Sequence, residues 1–383
     1  MLKTIDFIKN NENWRELLKE KPYCLSINED DNYALLKYSQ IDSDFNEQIC
    51  KECRGLIIDL HTLEPVALSF YKFFNVHEKF ADMIYWKDCK VLEKVDGSKM
   101  LVWFNKYEDK WQISTSKVLN AYNVTVSDFG KTFGQLFDRA LLNYNFPNST
   151  TLYDNLDKQF CYTFELVSPE SRVVVPYKKD DLYLIGVRNI ITFEELNPTT
   201  IELSKYFKIP KQYNLPNLKS CLEATKYMGF DEEGFVVVDK HWHRIKIKSP
   251  AYISAHYLKN NGVNSRSRVL SIIEAGERDE FLSLFPEYTQ IFNEVGNAFT
   301  EIKLKILNAI DNIDYLNREW SDNKDKRKLL AEYINENYPD ISGILFSYLN
   351  VDLVGLFIHT KWKELSKDKK MKLLGFKMEN EDN

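Results

Sequence analysis

Lys94-Val95-Asp96-Gly97-Ser98 is the stretch whose residue types and spacing can do covalent chemistry. Cys89-Lys90-Val91-Leu92-Glu93 precedes it, and Met100-Leu101-Val102-Trp103-Phe104 follows. The pattern reads as strand, short turn, strand, with Asp-Gly in the turn. An ammonium held between two half-buried strands loses water. Desolvation favours the uncharged amine, and an uncharged amine is a nucleophile. Four-residue patterns recur by chance. A surface hairpin with an idle lysine is therefore the reading that the rest of the chain has to displace.

Other charged residues lie inside or at the ends of apolar runs, where charge is costly unless it is paired or used. Arg54 opens the run Arg54-Gly55-Leu56-Ile57-Ile58, and Lys72 lies in Tyr71-Lys72-Phe73-Phe74-Asn75. Lys117 closes Ile113-Ser114-Thr115-Ser116-Lys117, and Glu165 sits in Tyr162-Thr163-Phe164-Glu165-Leu166-Val167. Glu233 precedes Gly234-Phe235-Val236-Val237-Val238. Lys246 and Lys248 are two apart and so share a strand face. On one antiparallel sheet these charges can converge on a cleft. Cations suit a polyphosphate, and carboxylates suit Mg²⁺ directly or through its waters. Each charge alone also has an ordinary reading: an ion pair of Arg54 with Glu52 or Asp59, or a charged edge strand at Lys246 and Lys248.

The elements that must position these groups are legible from periodicity. Residues 1–20 have helical spacing. Strands are expected at Tyr33–Tyr38, Arg54–Leu60, Pro65–Phe70, through 91–116, and at 160–168, 171–177, 181–188, 234–239 and 243–248. A helix is expected near 125–144, with Phe129, Phe133, Leu136, Phe137 and Leu141 on one face. From about 255 the pattern turns helical to the end, so the expected domains are 1–255 and 256–383. The tail Met378–Asn383 is expected to fray.

The totals limit the classes. The chain has 383 residues, 44% hydrophobic and 14% aromatic, which favours a globular protein of two or three domains over disorder. No signal peptide opens the sequence and no apolar run reaches the ~20 residues needed to span a bilayer. The expectation is a soluble, cytoplasmic protein, a monomer without a membrane partner. A formal charge of −6 speaks against non-specific coating of nucleic acid, but not against a local basic groove. Cys50-Lys51-Glu52-Cys53 is a lone CxxC without the second ligand pair of a structural zinc site.

The ordered set resembles the covalent nucleotidyltransferase superfamily of polynucleotide ligases and capping enzymes. Within it, the chain resembles the RNA ligase 1 family of the bacteriophage type. Lys94-x-Asp96-Gly97-Ser98 is similar to the nucleotide-attachment motif, Phe164-Glu165-Leu166-Val167 to the third motif, and Leu182–Arg188 to the strand called IIIa. Glu233-Gly234-Phe235-Val236 is similar to motif IV and Lys246-Ile247-Lys248 to motif V. Glu52-Cys53-Arg54-Gly55 and Lys72-Phe73-Phe74-Asn75 resemble blocks that mark this family. The likeness covers about 50–255. Val95 stands where a glutamate can occur, and Val118 where a glycine can follow the lysine.

The resemblance implies an α+β fold: an antiparallel-sheet nucleotidyltransferase, ATP-grasp-like domain followed by an all-α C-terminal domain. It implies ATP-dependent joining of 5′-phosphate and 3′-hydroxyl RNA ends through a lysyl-AMP and an adenylylated RNA end, in RNA or tRNA repair. ATP and Mg²⁺, with Mn²⁺ as a substitute, are the implied cofactors. Single-stranded RNA or broken tRNA-like ends are the implied partner, and a phage enzyme acting in its host's cytoplasm fits the family. Lys94 is the implied nucleophile. Lys246 and Lys248 would contact the α-phosphate and favour the uncharged form of Lys94, and Asp96 would orient Lys94 or metal-bound water. Lys117 would orient the leaving pyrophosphate, and Arg54 and Lys72 would hold phosphates. Glu93 and Gly97 fall with the nucleotide-binding residues. Glu165 would accept from the ribose hydroxyls. Glu233, and also Glu165, would serve the metal. Ile185 and Val236 would sandwich the adenine, although both types are equally at home in a core. Phe74 and Tyr252 join the site by likeness, again with core as the alternative.

In the helical region, Arg266, Arg268 and the lysines 361, 363, 367, 369, 370 and 372 form either an RNA-facing patch or a solvated helix face. Two other functions stay open. One is a DNA ligase or capping guanylyltransferase, against which the helical patterning after motif V speaks, since those carry an OB-fold there. The other is an inactive RNA-binding protein that keeps only the fold.

Overall fold

The computed structural model describes residues 2–126, 130–147, 150–258, 266–349 and 361–376. Phe129 and the tail 378–383 lie outside the described residues. The chain divides into two compact units. The first comprises Met1–Arg15 and Leu25–Asn260, the second Glu16–Cys24 and Asn261–Asn383.

The first unit holds three sheets. β1 (Ser26–Glu29), β2 (Tyr33–Lys37), β3 (Arg54–Asp59) and β4 (Pro65–Ala67) pair in that order. β5 (Phe74–Asn75) and β6 (Lys90–Glu93) belong to the third sheet. β7 (Ser98–Asn105), β8 (Lys110–Thr115), β9 (Phe160–Val167), β10 (Asp181–Asn189) and β11 (Glu195–Leu196) make the second, in the order β11-β10-β9-β7-β8. β12 (Gln212–Tyr213), β13 (Gly234–Val238) and β14 (Arg244–Lys248) complete the third, in the order β12-β6-β13-β14-β5. Ladders within the sheets are antiparallel except β14 with β5.

Strand alternation decides what each sheet offers. On the second sheet Met100, Val102, Phe164, Leu166, Leu182 and Leu184 point into a core. Helix Phe133–Leu141 covers that core with Leu136, Phe137 and Ala140, all fully buried. Burying side chains such as Leu136 and Phe137 contributes about 1.5–3 kcal/mol each. Residues of the other parity, Lys99, Glu165 and Tyr183, are paired across β7, β9 and β10 and share the opposite face. The third sheet repeats the arrangement. Val91, Phe235, Val237, Ile245 and Ile247 pack with Cys221 of helix Leu218–Thr225, which leaves Leu92, Val236 and Lys246 on the opposite face.

Two elements differ from the sequence expectation. The helix expected over 125–144 begins only at Phe133, because Thr132 caps it: its hydroxyl accepts from Gln135 N while the Gln135 side chain takes the Thr132 N–H. The strand expected at 171–177 is an irregular loop. Three consecutive valines favour extended backbone, but the N–H groups of Val174 and Val175 go to the Asp96 carboxylate, at 2.9 and 2.8 Å, and not to a neighbouring strand.

Glu52 has a structural task. Its carboxylate accepts the Lys3 and Thr4 N–H groups at 3.2 and 2.8 Å and the Thr4 hydroxyl at 2.7 Å. That satisfies N-terminal donors of helix Lys3–Asn10, which have no partner within the helix.

The second unit is helical where described. Its longest helix, Thr289–Glu319, buries Phe292, Val295, Phe299, Ile302, Ile306 and Ile310, the three-and-four spacing of one helix face. Among the described residues no helix is long and apolar enough to cross a membrane.

Candidate active site

Lys94 is the residue after β6, and its backbone N–H donates to Gly234 O at 2.8 Å. Its Nζ lies 2.7 Å from Glu233 Oε2. The other oxygen of Glu233 is 3.9 Å from Lys248 Nζ. Glu233 is buried while Lys94 keeps about a fifth of its side-chain surface, so the pair is open from the lysine side.

Two glycines set this spacing. Gly234 has φ +136°, and a Cβ there would lie 2.1 Å from Ile247 O and 2.8 Å from Lys248 Cα. Only glycine lets β13 press against β14 where Glu233 meets Lys248. At Gly97 a Cβ would lie 2.5 Å from Leu166 O and 3.1 Å from Glu165 Cγ. The Lys94 turn is thereby drawn against the rung of β9 that carries Glu165.

Glu165 is directly opposite Lys99 on β7 and Tyr183 on β10. Burial pushes its carboxyl up to about 7. Lys94, Arg54 and Lys99 pull it down and the Glu233 charge pushes it further up. The Glu233 charge beside the Glu165 carboxyl suits a cation between them, and hard oxygen donors suit Mg²⁺. Among the described residues no group of three or more His, Cys, Asp or Glu could hold a metal ion by itself. A Mg²⁺ here would therefore use one or two carboxylates and complete its shell with substrate phosphate and water, its usual manner.

Arg54 opens β3. Its guanidinium lies over the rings of Phe70 and Phe73, at 4.7 and 4.9 Å, and its Nη1 is buried with no hydrogen-bond partner among the described residues. Burial pushes its pKa below the usual range, and the Tyr38 hydroxyl and the Glu165 charge oppose that. Gly55, at φ +84°, places a would-be Cβ 3.1 Å from Ser116 Cα, so the Arg54 end of β3 abuts the turn that carries Lys117. Lys117 is exposed just beyond β8. Lys72 is buried among the rings of Tyr38, Phe45 and Phe74, 5.0–5.5 Å from each centroid, and donates to Gln40 Oε1 at 3.1 Å. Phe74 is thus one wall of the Lys72 enclosure.

Ile185 is the extra residue of a bulge between Leu184 and Gly186, and it is half-buried. Bulges re-aim side chains. Val236, also half-buried, is directly across from Lys246 and from Leu92.

Glu93 and Asp96 also carry structural bonds. Glu93 pairs with the core residue Phe235, so strand parity gives it the opposite face from Leu92, and its carboxylate accepts Lys211 N–H at 3.2 Å. It braces an edge strand, and its charge also acts on Tyr183 and Tyr177. Asp96 is buried with both oxygens committed: Oδ2 to Val174 and Val175 N–H, Oδ1 to the Tyr252 hydroxyl at 2.8 Å. It anchors the Lys94 turn. Tyr252 holds Asp96 through its hydroxyl, and its ring centroid lies 5.8 Å from Lys248 Nζ.

Lys99 was missed. Its Nζ donates to Arg54 O at 2.7 Å, and burial, with the Arg54 charge adding, pushes it well below the ordinary lysine range. The signal was present: a lysine inside the apolar run 98–104, with the parity of the polar face.

In the second unit Lys370 donates to Glu274 Oε1 at 2.9 Å, and Trp362 donates to the same carboxylate. Lys361 pairs with Glu364 at 2.7 Å. Arg266 pairs with Glu294 at 3.1 Å. Lys363, Lys367, Lys369 and Lys372 are exposed.

A lysine ion-paired with a buried glutamate, a second carboxyl group and flanking cations on the polar faces of antiparallel sheets make an α+β site suited to phosphate chemistry. A family model described as RNA ligase matches residues 52–252, more than half of the chain, and the protein belongs to that family. A curated relative from Autographa californica nuclear polyhedrosis virus, named "Putative bifunctional polynucleotide kinase/RNA ligase", is 31% identical over 284 residues, 70% of this chain and 40% of the relative. An RNA ligase of Rhodothermus phage RM378 is 23% identical over 297 residues, 66% of this chain and 65% of the relative. The chain thus spans less than two thirds of the length of either. A solved archaeal ATP-dependent RNA ligase overlays with a TM-score of 0.43 at 12% identity, over 76% of this chain and 78% of that one.

Proposed function

We propose that the protein is an ATP-dependent RNA ligase that joins a 5′-phosphate to a 3′-hydroxyl. Lys94 Nζ, its proton given up to solvent, attacks the α-phosphorus of ATP, forming an N–P bond as the bond to the pyrophosphate oxygen breaks. A 5′-phosphate oxygen of RNA then attacks the same phosphorus and frees the lysine. A 3′-hydroxyl finally attacks the RNA phosphate, and AMP leaves. Splitting one difficult displacement in this way is the general advantage of covalent catalysis.

The observation that carries the reading is Glu233 held between Lys94 and Lys248, at 2.7 and 3.9 Å, on a face shared with Lys246. Lys246 and Lys248 hold the α-phosphate, Arg54 and Lys72 hold further phosphates, and exposed Lys117 meets the pyrophosphate. Glu165 accepts from the ribose hydroxyls. Ile185 and Val236 flank the adenine. Glu233, with Glu165 beside it, would hold a Mg²⁺ or Mn²⁺, which would supply counter-charge to the phosphates. The helical unit contributes to RNA recognition, and the substrates are single-stranded or broken tRNA-like ends in RNA repair.

Incubation with α-labelled ATP and Mg²⁺ tests this. A covalent AMP adduct is expected, and Lys94→Ala abolishes it. An alanine variant that still labels overturns the nucleophile assignment. A panel of single-stranded RNA, nicked duplex, broken tRNA and DNA then identifies the acceptor.

A further inference from the structure

Lys99 lies outside the motif residues, yet the structure builds it into the same face. It is two residues from Gly97, whose missing side chain lets the Lys94 turn touch β9. It stands directly opposite Glu165 in the β7·β9 ladder. Its Nζ reaches across to the first sheet and donates to the main-chain oxygen of Arg54 at 2.7 Å. Its Nζ also lies 5.9 Å from the Phe70 ring centroid, the ring over which Arg54 is stacked at 4.7 Å. One side chain thus ties the start of β3, which carries Arg54, to the rung that carries Glu165.

We infer that Lys99 is a positioning residue of the ligase site, fixing the separation between the Arg54 guanidinium and the Glu165 carboxyl so that phosphate and ribose of one nucleotide are held together. The inference rests on the nucleotide reading above. Two observations make the link specific. Arg54 Nη1 is buried without a hydrogen-bond partner among the described residues, so its guanidinium suits an acceptor brought by the nucleotide. Glu165 is paired on both sides, by Lys99 and Tyr183, so a shift at Lys99 is passed to it through the ladder.

The test compares the wild type, Lys99→Met and Lys99→Arg as the full chain in single-turnover self-adenylylation, with labelled ATP and with labelled 2′-deoxy-ATP. Methionine keeps the length and removes the donor; arginine keeps a donor. The expected result for Lys99→Met is a KM for ATP raised about tenfold, the scale of a lost hydrogen bond to a charged group. Its preference for ATP over 2′-deoxy-ATP should fall towards one, and Lys99→Arg should recover part of both. A lysine that merely fills the core would not move the ribose preference. Wild-type KM and preference in a folded Lys99→Met overturn the inference. If that variant does not fold, Lys99→Gln is read by the same criterion, and an unchanged preference again overturns it. A wild-type chain that forms no adduct overturns the nucleotide reading itself, and this inference with it.

Discussion

The Tyr252 hydroxyl donates to Asp96 Oδ1 at 2.8 Å, while Asp96 Oδ2 takes the N–H groups of Val174 and Val175. Three segments distant in sequence therefore meet on one buried carboxylate, two residues from Lys94. Asp96→Ala strands two backbone donors and a hydroxyl, which should cost about 2–4 kcal/mol of stability. Tyr252→Phe removes one bond and should cost about 1 kcal/mol. Denaturant unfolding measures both. Equal losses in the two variants would contradict the anchoring role of Asp96.

Glu165 gives a pH dependence with a definite sign. Its carboxyl is held up to about 7, against an ordinary value of 4.5. Between those values the folded state binds the extra proton, so the contribution to stability falls as pH rises through the window. The penalty is full above about 7 and amounts to about 3 kcal/mol. In chelator and without nucleotide, Glu165→Gln should flatten this decline and be the more stable protein at pH 8, while losing ligation. A variant with the wild-type pH profile would refute the burial argument.

Gly97→Ala and Gly234→Ala should each be severely destabilising, because the new Cβ would meet a carbonyl oxygen at 2.5 or 2.1 Å. Overpacking costs typically about 1–3 kcal/mol, and the positive φ at Gly234 adds strain. Melting temperature and AMP labelling are the readouts. Unchanged melting for Gly234→Ala would show that β13 and β14 can part without cost.

The lysine-rich end separates into two kinds of residue. Lys370 is held by Glu274, at 2.9 Å, and its Nζ lies over the Trp362 ring. Lys370→Met should therefore lower the stability of the helical unit. Lys367, Lys369 and Lys372 are exposed. Replacing these three by glutamine should leave melting unchanged and reduce the salt dependence of RNA binding, by up to about 0.7 in slope for each RNA phosphate that is no longer neutralised. No change in slope would assign them to a solvated face.

Much of this was legible because strand parity and apolar runs are local signals. Lys94, Glu165, Glu233, Lys246 and Lys248 sit on the strands or turns that their neighbours predict. What was not legible depended on long-range hydrogen bonds. Val173-Val174-Val175 reads as a strand until a distant aspartate claims its N–H groups. The hold of Glu93 on the Lys211 N–H carries no sequence signature either. Lys99 satisfied the same criterion that selected Glu165, a charge within an apolar strand, but its partner, the Arg54 carbonyl, carries no sequence signature.

The grouping of Glu16–Cys24 with residues from Asn261 onward has a consequence for synthesis and for dissection. The chain leaves its first unit early, returns at Leu25, and leaves again after Asn260. The nine-residue opening portion of the second unit therefore emerges from the ribosome long before the helices with which it is grouped, and must wait for them. No single cleavage separates the two units. A truncation after Asn260 carries the early segment along without its companions, whereas replacing 16–24 by a flexible linker in that truncation gives the sheet unit a fair trial on its own.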